Sequence, residues 1–342
     1  MSIELRRTPS RGHGPLVVAL ASILFDCGAA KEPIATIART FGEPSRAASA
    51  SSHPNVTFTT IDVPGSLATI GADITATGDV VGRYCVDQCQ DITGNWHGFL
   101  LSEGEFTSID FSGAFHTNAT GLNPRGDIVG RYRDVVDGPF HGFLLSEDEF
   151  TAIDFPGAFS TRAYGITPGG ETIVGDYCTD PGCIRPAAGH WHGFLLSRGQ
   201  FNSFDFPGAI FTQVWRINPA GQIVGRYRGA DGRFHMFLLS KDNFTPIDFP
   251  GAANTGGDAG GINPRGDIVG SYCNTPGCAP ATSGHGFLLR QGQFTSFDFP
   301  GAIATVAHGI NSRGDILGTY ADTRGNIHGF LRGSEERGED EE

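Results

Sequence analysis

The chain alternates short apolar runs with polar, glycine-rich punctuation, and that alternation repeats. One copy occupies residues 106–145, FTSIDFSGAFHTNATGLNPRGDIVGRYRDVVDGPFHGFLL, and recognisable copies begin at Phe58, Phe106, Phe150, Phe201, Phe244 and Phe294. The spacings of 48, 44, 51, 43 and 50 residues fit propeller blades or a solenoid. Within a copy, runs rich in β-branched and aromatic residues predict four strands, at 106–111, 118–123, 127–133 and 141–146. Turn residues bound each run, as at Ser112-Gly113, Pro124-Arg125-Gly126 and Asp137-Gly138-Pro139. No window sustains the three- and four-residue apolar spacing of a helix.

Four antiparallel strands per unit predict an all-β propeller blade. The ends of the array separate a ring from an open stack. A lone first strand, FTTIDV at 58–63, precedes the first full unit, and the last unit has only three strands, ending in HGFLR at 328–332. Moving the spare strand into the incomplete unit hides the edges an open stack would expose. The expectation is a six-bladed β-propeller over 57–332, closed by the N-terminal strand joining the C-terminal blade.

The unit built from Gly-Ile-Asn, Gly-Asp-Ile-Val-Gly, Tyr and His-Gly-Phe resembles the HAF family of extracellular repeats, named for a His-Ala-Phe triplet. Here the triplet is His-Gly-Phe at His97, His141, His192, His285 and His328, and His-Met-Phe at His235. The resemblance covers about five-sixths of the chain. It implies export and repetition, and assigns no reaction.

Composition narrows the partners. The formal charge is -13, and Lys31 and Lys241 are the only lysines, which argues against a nucleic-acid surface. The 50 Gly and 26 Phe suit tight turns between sheets that pack through aromatic rings. Residues 1–30 read as a signal peptide: Arg6, Arg7 and Arg11 precede a short apolar core at 16–25, followed by the small Gly28 and Ala30. Asp26 before Cys27 departs from the small residue that a lipid-anchor motif requires. Residues 31–56 read as a disordered linker and 333–342 as an acidic disordered tail. The mature chain has no candidate transmembrane span and is expected to be a monomer that is secreted, periplasmic or held at the cell surface.

Beyond Cys27, the cysteines fall in three close pairs, Cys85 with Cys89, Cys178 with Cys183 and Cys273 with Cys278, all just after the second strand of alternate copies. In an exported chain these predict local disulfides, each adding about 2 kcal/mol on a loop-entropy basis. Zinc would need further ligands, and the spacing is not that of a redox motif. No metal or cofactor is expected.

The repeated histidines and the repeated Asp62, Asp110, Asp154, Asp205, Asp248 and Asp298 occur in all copies. Sixfold repetition spreads equivalent groups around a ring, whereas an active site needs unlike groups at one centre. The aspartates are expected to bond the backbone of the following turn, and the histidines to link neighbouring strands. Arg-Gly-Asp at 125–127, 265–267 and 313–315 reads as a turn rather than an adhesion motif. The Asp- and Gly-bearing loops near Asp231 and Asp322 lack the carboxylate series of a calcium loop.

One position per copy varies freely inside a near-constant frame: Ala72, Thr120, Tyr164, Trp215, Gly260 and His308. On an innermost strand these side chains would lie at the channel. Trp96 and Trp191, just before His-Gly-Phe, are expected to be exposed aromatics beside the cysteine loops. With Arg83, Arg131, Arg216 and Arg226, such aromatics suit a sugar or an anionic glycan. The ligand-binding candidates are Thr120, Tyr164, Trp215, His308, Trp96, Trp191 and Arg216, on the face that carries the inter-blade links and long loops. A binding module for carbohydrate or another surface polymer is the leading reading, and no catalytic residue stands out. A hydrolase or lyase using His308, Tyr164 and Asp258, and a structural surface protein, are the alternatives.

Overall fold

The computed structural model describes residues 56–334, apart from 88, 90–93, 185–188, 258, 276–277 and 279–282. The leader, the linker up to residue 55 and the tail from 335 lie outside the described residues. Strand β1 (Phe58–Ile61) precedes a first unit of β2 (Ala68–Ile74), β3 (Val80–Cys85), β4 (His97–Ser102) and β5 (Glu105–Ile109). The second unit is β6 (His116–Leu122), β7 (Ile128–Arg133), β8 (His141–Ser146) and β9 (Glu149–Ile153). The third is β10 (Ser160–Ile166), β11 (Thr172–Cys178), β12 (His192–Ser197) and β13 (Gln200–Phe204). The fourth is β14 (Thr212–Ile217), β15 (Ile223–Arg228), β16 (Phe234–Ser240) and β17 (Asn243–Ile247). In the fifth the inner strand is split into β18 (Asn254–Thr255) and β19 (Gly261–Ile262), followed by β20 (Ile268–Cys273), β21 (His285–Arg290) and β22 (Gln293–Phe297). The last holds β23 (Ala304–Ile310), β24 (Ile316–Ala321) and β25 (Ile327–Arg332).

Within every unit neighbouring strands pair antiparallel, and in the fifth both β18 and β19 lie against β20. β1 lies against β25, Phe58 opposite Arg332 and Ile61 opposite Gly329. A single parallel pair, Ala68 with Ile327, makes the first and last units one mixed sheet. Among the described residues no helix is long and apolar enough to cross a membrane.

The core of each unit is a cross-strand pair of glycine and phenylalanine. Gly130 of Ile-Val-Gly sits opposite Phe143 of His-Gly-Phe, and the same pairing joins Gly82 to Phe99, Gly175 to Phe194, Gly225 to Phe237, Gly270 to Phe287 and Gly318 to Phe330. All six phenylalanines are fully buried. The ring lies where a side chain on the glycine would stand: a Cβ on Gly130 would collide with the Asn118 carbonyl and the Phe143 ring.

Units are tied to one another through the links. In each link the backbone N–H after the repeated Asp donates to a threonine hydroxyl at the start of the next inner strand, as Phe111 to Thr117 at 3.1 Å and Phe299 to Thr305 at 2.9 Å. That corrects the expected role of the aspartates, which turn instead to the histidines. His Nδ1 meets the carboxylate at 3.0 Å in His97–Asp110, 2.9 Å in His141–Asp154 and 2.8 Å in His192–Asp205. His235–Asp248, His285–Asp298 and His328–Asp62 complete the set. Glycine supplies the left-handed turn residue beside them, as Gly113 at φ +80°. On the opposite face Asn311 Nδ2 donates to the Thr75 carbonyl at 3.1 Å, joining the last unit to the first.

Two predictions follow from this frame. Replacing Gly130 by Ala overpacks the Gly–Phe contact and is expected to cost at least about 2 kcal/mol in urea denaturation. The second concerns pH. The hydrogen bond to Asp110, outweighing burial, raises the His97 pKa, and Asp154 raises that of His141 in the same way. A histidine with a raised folded pKa stabilises fully below its unfolded value of 6.5, and the effect fades as pH rises through the folded value. His116 acts oppositely, since burial, then Arg83, Arg131 and Arg133, hold it well below 6.5, so its contribution is lost as pH falls under that value. The melting temperature is therefore expected to drop as pH rises above 6.5, and to drop less in a His97→Gln, His141→Gln double variant; an unchanged drop in the variant would refute the assignment.

Candidate functional site

The varying position of the repeat is a β-bulge. In β6 and β7, Ala119 pairs with Gly130 and Gly121 with Val129, leaving Thr120 unpaired between them. The same slip leaves out Ala72, Tyr164, Trp215 and His308. A bulge frees its extra residue from the ladder and re-aims its side chain, so the frame constrains neither its size nor its polarity. All five line one cavity of about 120 Å³. Gly260 does not. The fifth inner strand is two residues longer, with eight steps from Thr255 to Asn263 against six from Thr117 to Asn123, and its break brings Ala259 to the cavity instead. Asp258 lies outside the described residues.

Guanidinium groups from four units surround the bulge residues. Arg83, Arg131 and Arg226 come from second strands, and Arg162 and Arg216 from inner strands. Arg162 forks onto Asp176 at 2.7 and 2.9 Å, with both side chains fully buried. Burial pushes the Asp176 pKa up, against the pull of Arg162. Arg131 donates to the Tyr164 hydroxyl at 2.5 Å, and Arg226 to Gln213 Oε1 at 2.6 Å. With its amide oxygen turned to the guanidiniums, Asn118 accepts from Arg131 Nε at 3.1 Å and Arg83 Nη1 at 2.9 Å. His308 Nε2 lies 3.2 Å from Thr319 Oγ1.

Arg216 and Asp73 replace the glycine that follows the bulge in other copies, such as Gly121 and Gly165. They meet across the middle: Arg216 Nε is 3.4 Å from Asp73 Oδ2, and Arg216 also donates to the Tyr164 carbonyl at 3.0 Å and the Ala72 carbonyl at 2.6 Å. Burial raises the Asp73 pKa, with Arg216 opposing it. Because both sit one residue nearer the strand-one to strand-two turns than the bulges do, the pair crosses the middle on the turn side.

The tryptophans correct the sequence expectation. Trp96 and Trp191 are 3% and 1% exposed, because the disulfide of each loop packs on them. Cys85, Cys89 and Ala68 cover Trp96; Cys178, Cys183 and Phe211 cover Trp191. Guanidiniums take their faces, Arg83 at 4.6 Å from Trp96 and Arg162 at 3.5 Å from Trp191. All three expected disulfides are present. Trp215 is 1% exposed and packs with Met236, which stands where other copies have the glycine of His-Gly-Phe. Gly256, Gly260 and Gly270 make room for that pair.

A second cavity of about 450 Å³ lies where the first and last units meet and shares Ile70, Arg83 and His308 with the central one. Its lining includes the exposed Leu67, Gly325 and Asn326, so its mouth is on the link face. Backbone bonds such as Phe159 N to Cys178 O, 2.8 Å, place the links and the cysteine loops on that one side. The described large hydrophobics that are exposed, Leu67, Val86, Val135, Val136, Ile210 and Ile303, all belong to those links and loops. The Arg-Gly-Asp segments are turns: Asp127 and Asp267 are buried, and Arg125 pairs with Asp127 inside its own motif at 2.9 Å. Among the described residues no cluster of His, Cys, Asp and Glu could hold a metal ion. Sequence reasoning missed Asn118, Arg162 and Gln213, although their position, two before the bulge, also varies from copy to copy, and it missed Asp73 and Asp176.

No protein-family model matches the chain and no curated protein matches it, so the likeness to the HAF family rests on the repeated residues alone. Among solved structures, a putative TolB from Agrobacterium tumefaciens is similar at 13% identity over 83% of this chain and 99% of that one, with a TM-score of 0.52. TolB from Acinetobacter baumannii is 11% identical over 75% of this chain, with a TM-score of 0.49, and the match spans 64% of that protein's length. A fucose-specific lectin from Aleuria aurantia is 11% identical over 82% of this chain and 99% of its own, with a TM-score of 0.47. These are β-propeller proteins, and the likeness to the Agrobacterium structure shows that this chain has an all-β, propeller-like fold.

Proposed function

We propose that the chain is an exported six-bladed propeller, closed by β1 in the last blade, that binds carbohydrate or another cell-surface polymer. Closure is supported by the β1–β25 pairing and by the Asn311 bond to Thr75. Export is supported by three disulfides, which persist in oxidising compartments. One observation carries the binding reading: the residues that break the repeat converge on a single cavity, which shares Ile70, Arg83 and His308 with a cleft on the loop-bearing face. Together the two spaces, about 120 and about 450 Å³, fall within the roughly 300–1,000 Å³ of small-ligand sites. The candidates that act there are Thr120, Tyr164, Trp215, His308 and Arg216, with Trp96 lining the cleft; Trp191 serves as a support for Arg162.

A hydrolase or lyase on the same frame is a second reading, because Tyr164 and His308 line one cavity and supply hydroxyl and imidazole groups for proton transfer. Turnover separates the two.

Binding of the full chain to a panel of neutral and acidic glycans is expected to be saturable. An Arg83→Gln variant, altered where both cavities meet, is expected to bind at least about tenfold more weakly, the loss of about 1.4 kcal/mol, with its melting temperature checked in parallel. Folded protein that binds no glycan overturns the carbohydrate reading, and release of new sugar products would favour the enzyme.

A further inference from the structure

The central cavity carries charge of one sign. Five guanidiniums line it, from Arg83, Arg131, Arg162, Arg216 and Arg226, and no carboxylate of the described residues does. Among the described residues, two carboxylates stand behind them within ion-pair distance, Asp176 on Arg162 and Asp73 by Arg216. Asp258, which lies outside the described residues and adjoins Ala259 in sequence, would bring the carboxylates to three, still fewer than the guanidiniums. Hydrogen bonds from these arginines to hydroxyl, amide and carbonyl oxygens fix their positions and leave their charge in place, because an arginine does not lose its proton in a protein.

A neutral donor adds to the charge. Trp215 lines the cavity, is 1% exposed, and its indole Nε1–H has no hydrogen-bond acceptor among the described residues. The Cε3–Cζ3 edge of the indole packs on Gly260, which turns the opposite edge, carrying Nε1, away from that glycine. A buried donor left without an acceptor is costly, so an acceptor supplied by a ligand recovers that cost. The chain itself illustrates the geometry that fits: Arg162 holds a carboxylate by two parallel bonds in the same wall. The cavity, at about 120 Å³, admits a small anionic group, while the cleft of about 450 Å³ beside it has room for the body that carries the group.

We infer that the central cavity is an anion site and that the ligand is an acidic saccharide, its uronate carboxylate seated among Arg131, Arg226 and Trp215 Nε1 and its sugar ring in the adjoining cleft. The saccharide part rests on the carbohydrate reading above; the anion site does not.

Calorimetric titration of the full chain with glucuronate and galacturonate oligomers, the matching neutral oligomers, and acetate tests both parts. Acidic oligomers are expected to bind at least about tenfold tighter than neutral ones, with a preference that shrinks as salt rises from 50 to 500 mM. Trp215→Phe, which removes only the N–H donor, and Arg131→Gln are each expected to reduce the acidic-over-neutral preference about tenfold. If acetate binds as tightly as the acidic oligomers and competes with them, the anion site stands and the saccharide reading falls. Neutral oligomers binding as tightly as acidic ones, or preference unchanged in both variants, overturns the anion site and leaves the carbohydrate reading intact. No binding by any of these probes overturns both.

Discussion

The structure depends on one contact, the placement of a buried phenylalanine ring over a glycine on the neighbouring strand. Burying a phenylalanine contributes roughly 1.5–3 kcal/mol, and the contact recurs in every unit, at Gly82 with Phe99 through Gly318 with Phe330. Only glycine leaves space for the ring, so the second strand must read Ile-Val-Gly or its equivalent, and the third must place phenylalanine two residues after histidine. The same spacing sets histidine at the sheet's rim, where it meets the aspartate that ends the fourth strand. Repetition of the motif in sequence is therefore repetition of a steric requirement.

A frame held this way is free to vary where the ladder is broken. The bulge supplies one unpaired residue in every inner strand but the fifth, and the structure uses it for five different side chains in Ala72, Thr120, Tyr164, Trp215 and His308. The glycine after it is the next position to change, and it changes in a correlated way. Asp73 and Arg216 come from units three apart and meet in the middle. Removing either partner alone would leave a buried charge without its counterion, which is far more costly than the pair is stabilising. The arrangement is thus a constraint on the two substitutions together.

Much of the fold was legible because its signals are local. The strand at 141–146 is found at His141–Ser146, and the run at 127–133 at Ile128–Arg133; turn residues and alternating apolar positions lie within a few residues of one another. The cysteine pairs were legible for the same reason. What escaped depended on partners far apart in the chain. Trp96 and Trp191 precede a turn and look exposed in sequence, yet Arg83, Arg162 and the disulfides cover them. Arg162 could not be assigned to the cavity without Asp176, because the pairing that buries both is made across two strands. The fifth inner strand hid its irregularity in a two-residue insertion, which moved Ala259 rather than Gly260 to the cavity wall.

The overall charge of -13 and a cationic centre are compatible because they act at different ranges. The tail at 333–342 holds six acidic residues and one arginine, and so accounts for five of the thirteen net charges. Exposed charges are screened beyond about 8 Å at physiological salt, whereas guanidiniums inside a low-dielectric cavity are screened far less. A long polyanion lying across the outer surface would meet mostly acidic groups and be repelled. A chain end or a short oligomer that enters the cleft beside Arg83 would instead come under the field of the central arginines. If the proposed anion site is used, the charge distribution suits a terminal acidic residue better than binding along the length of a polymer, and it does so without any change to the repeated frame.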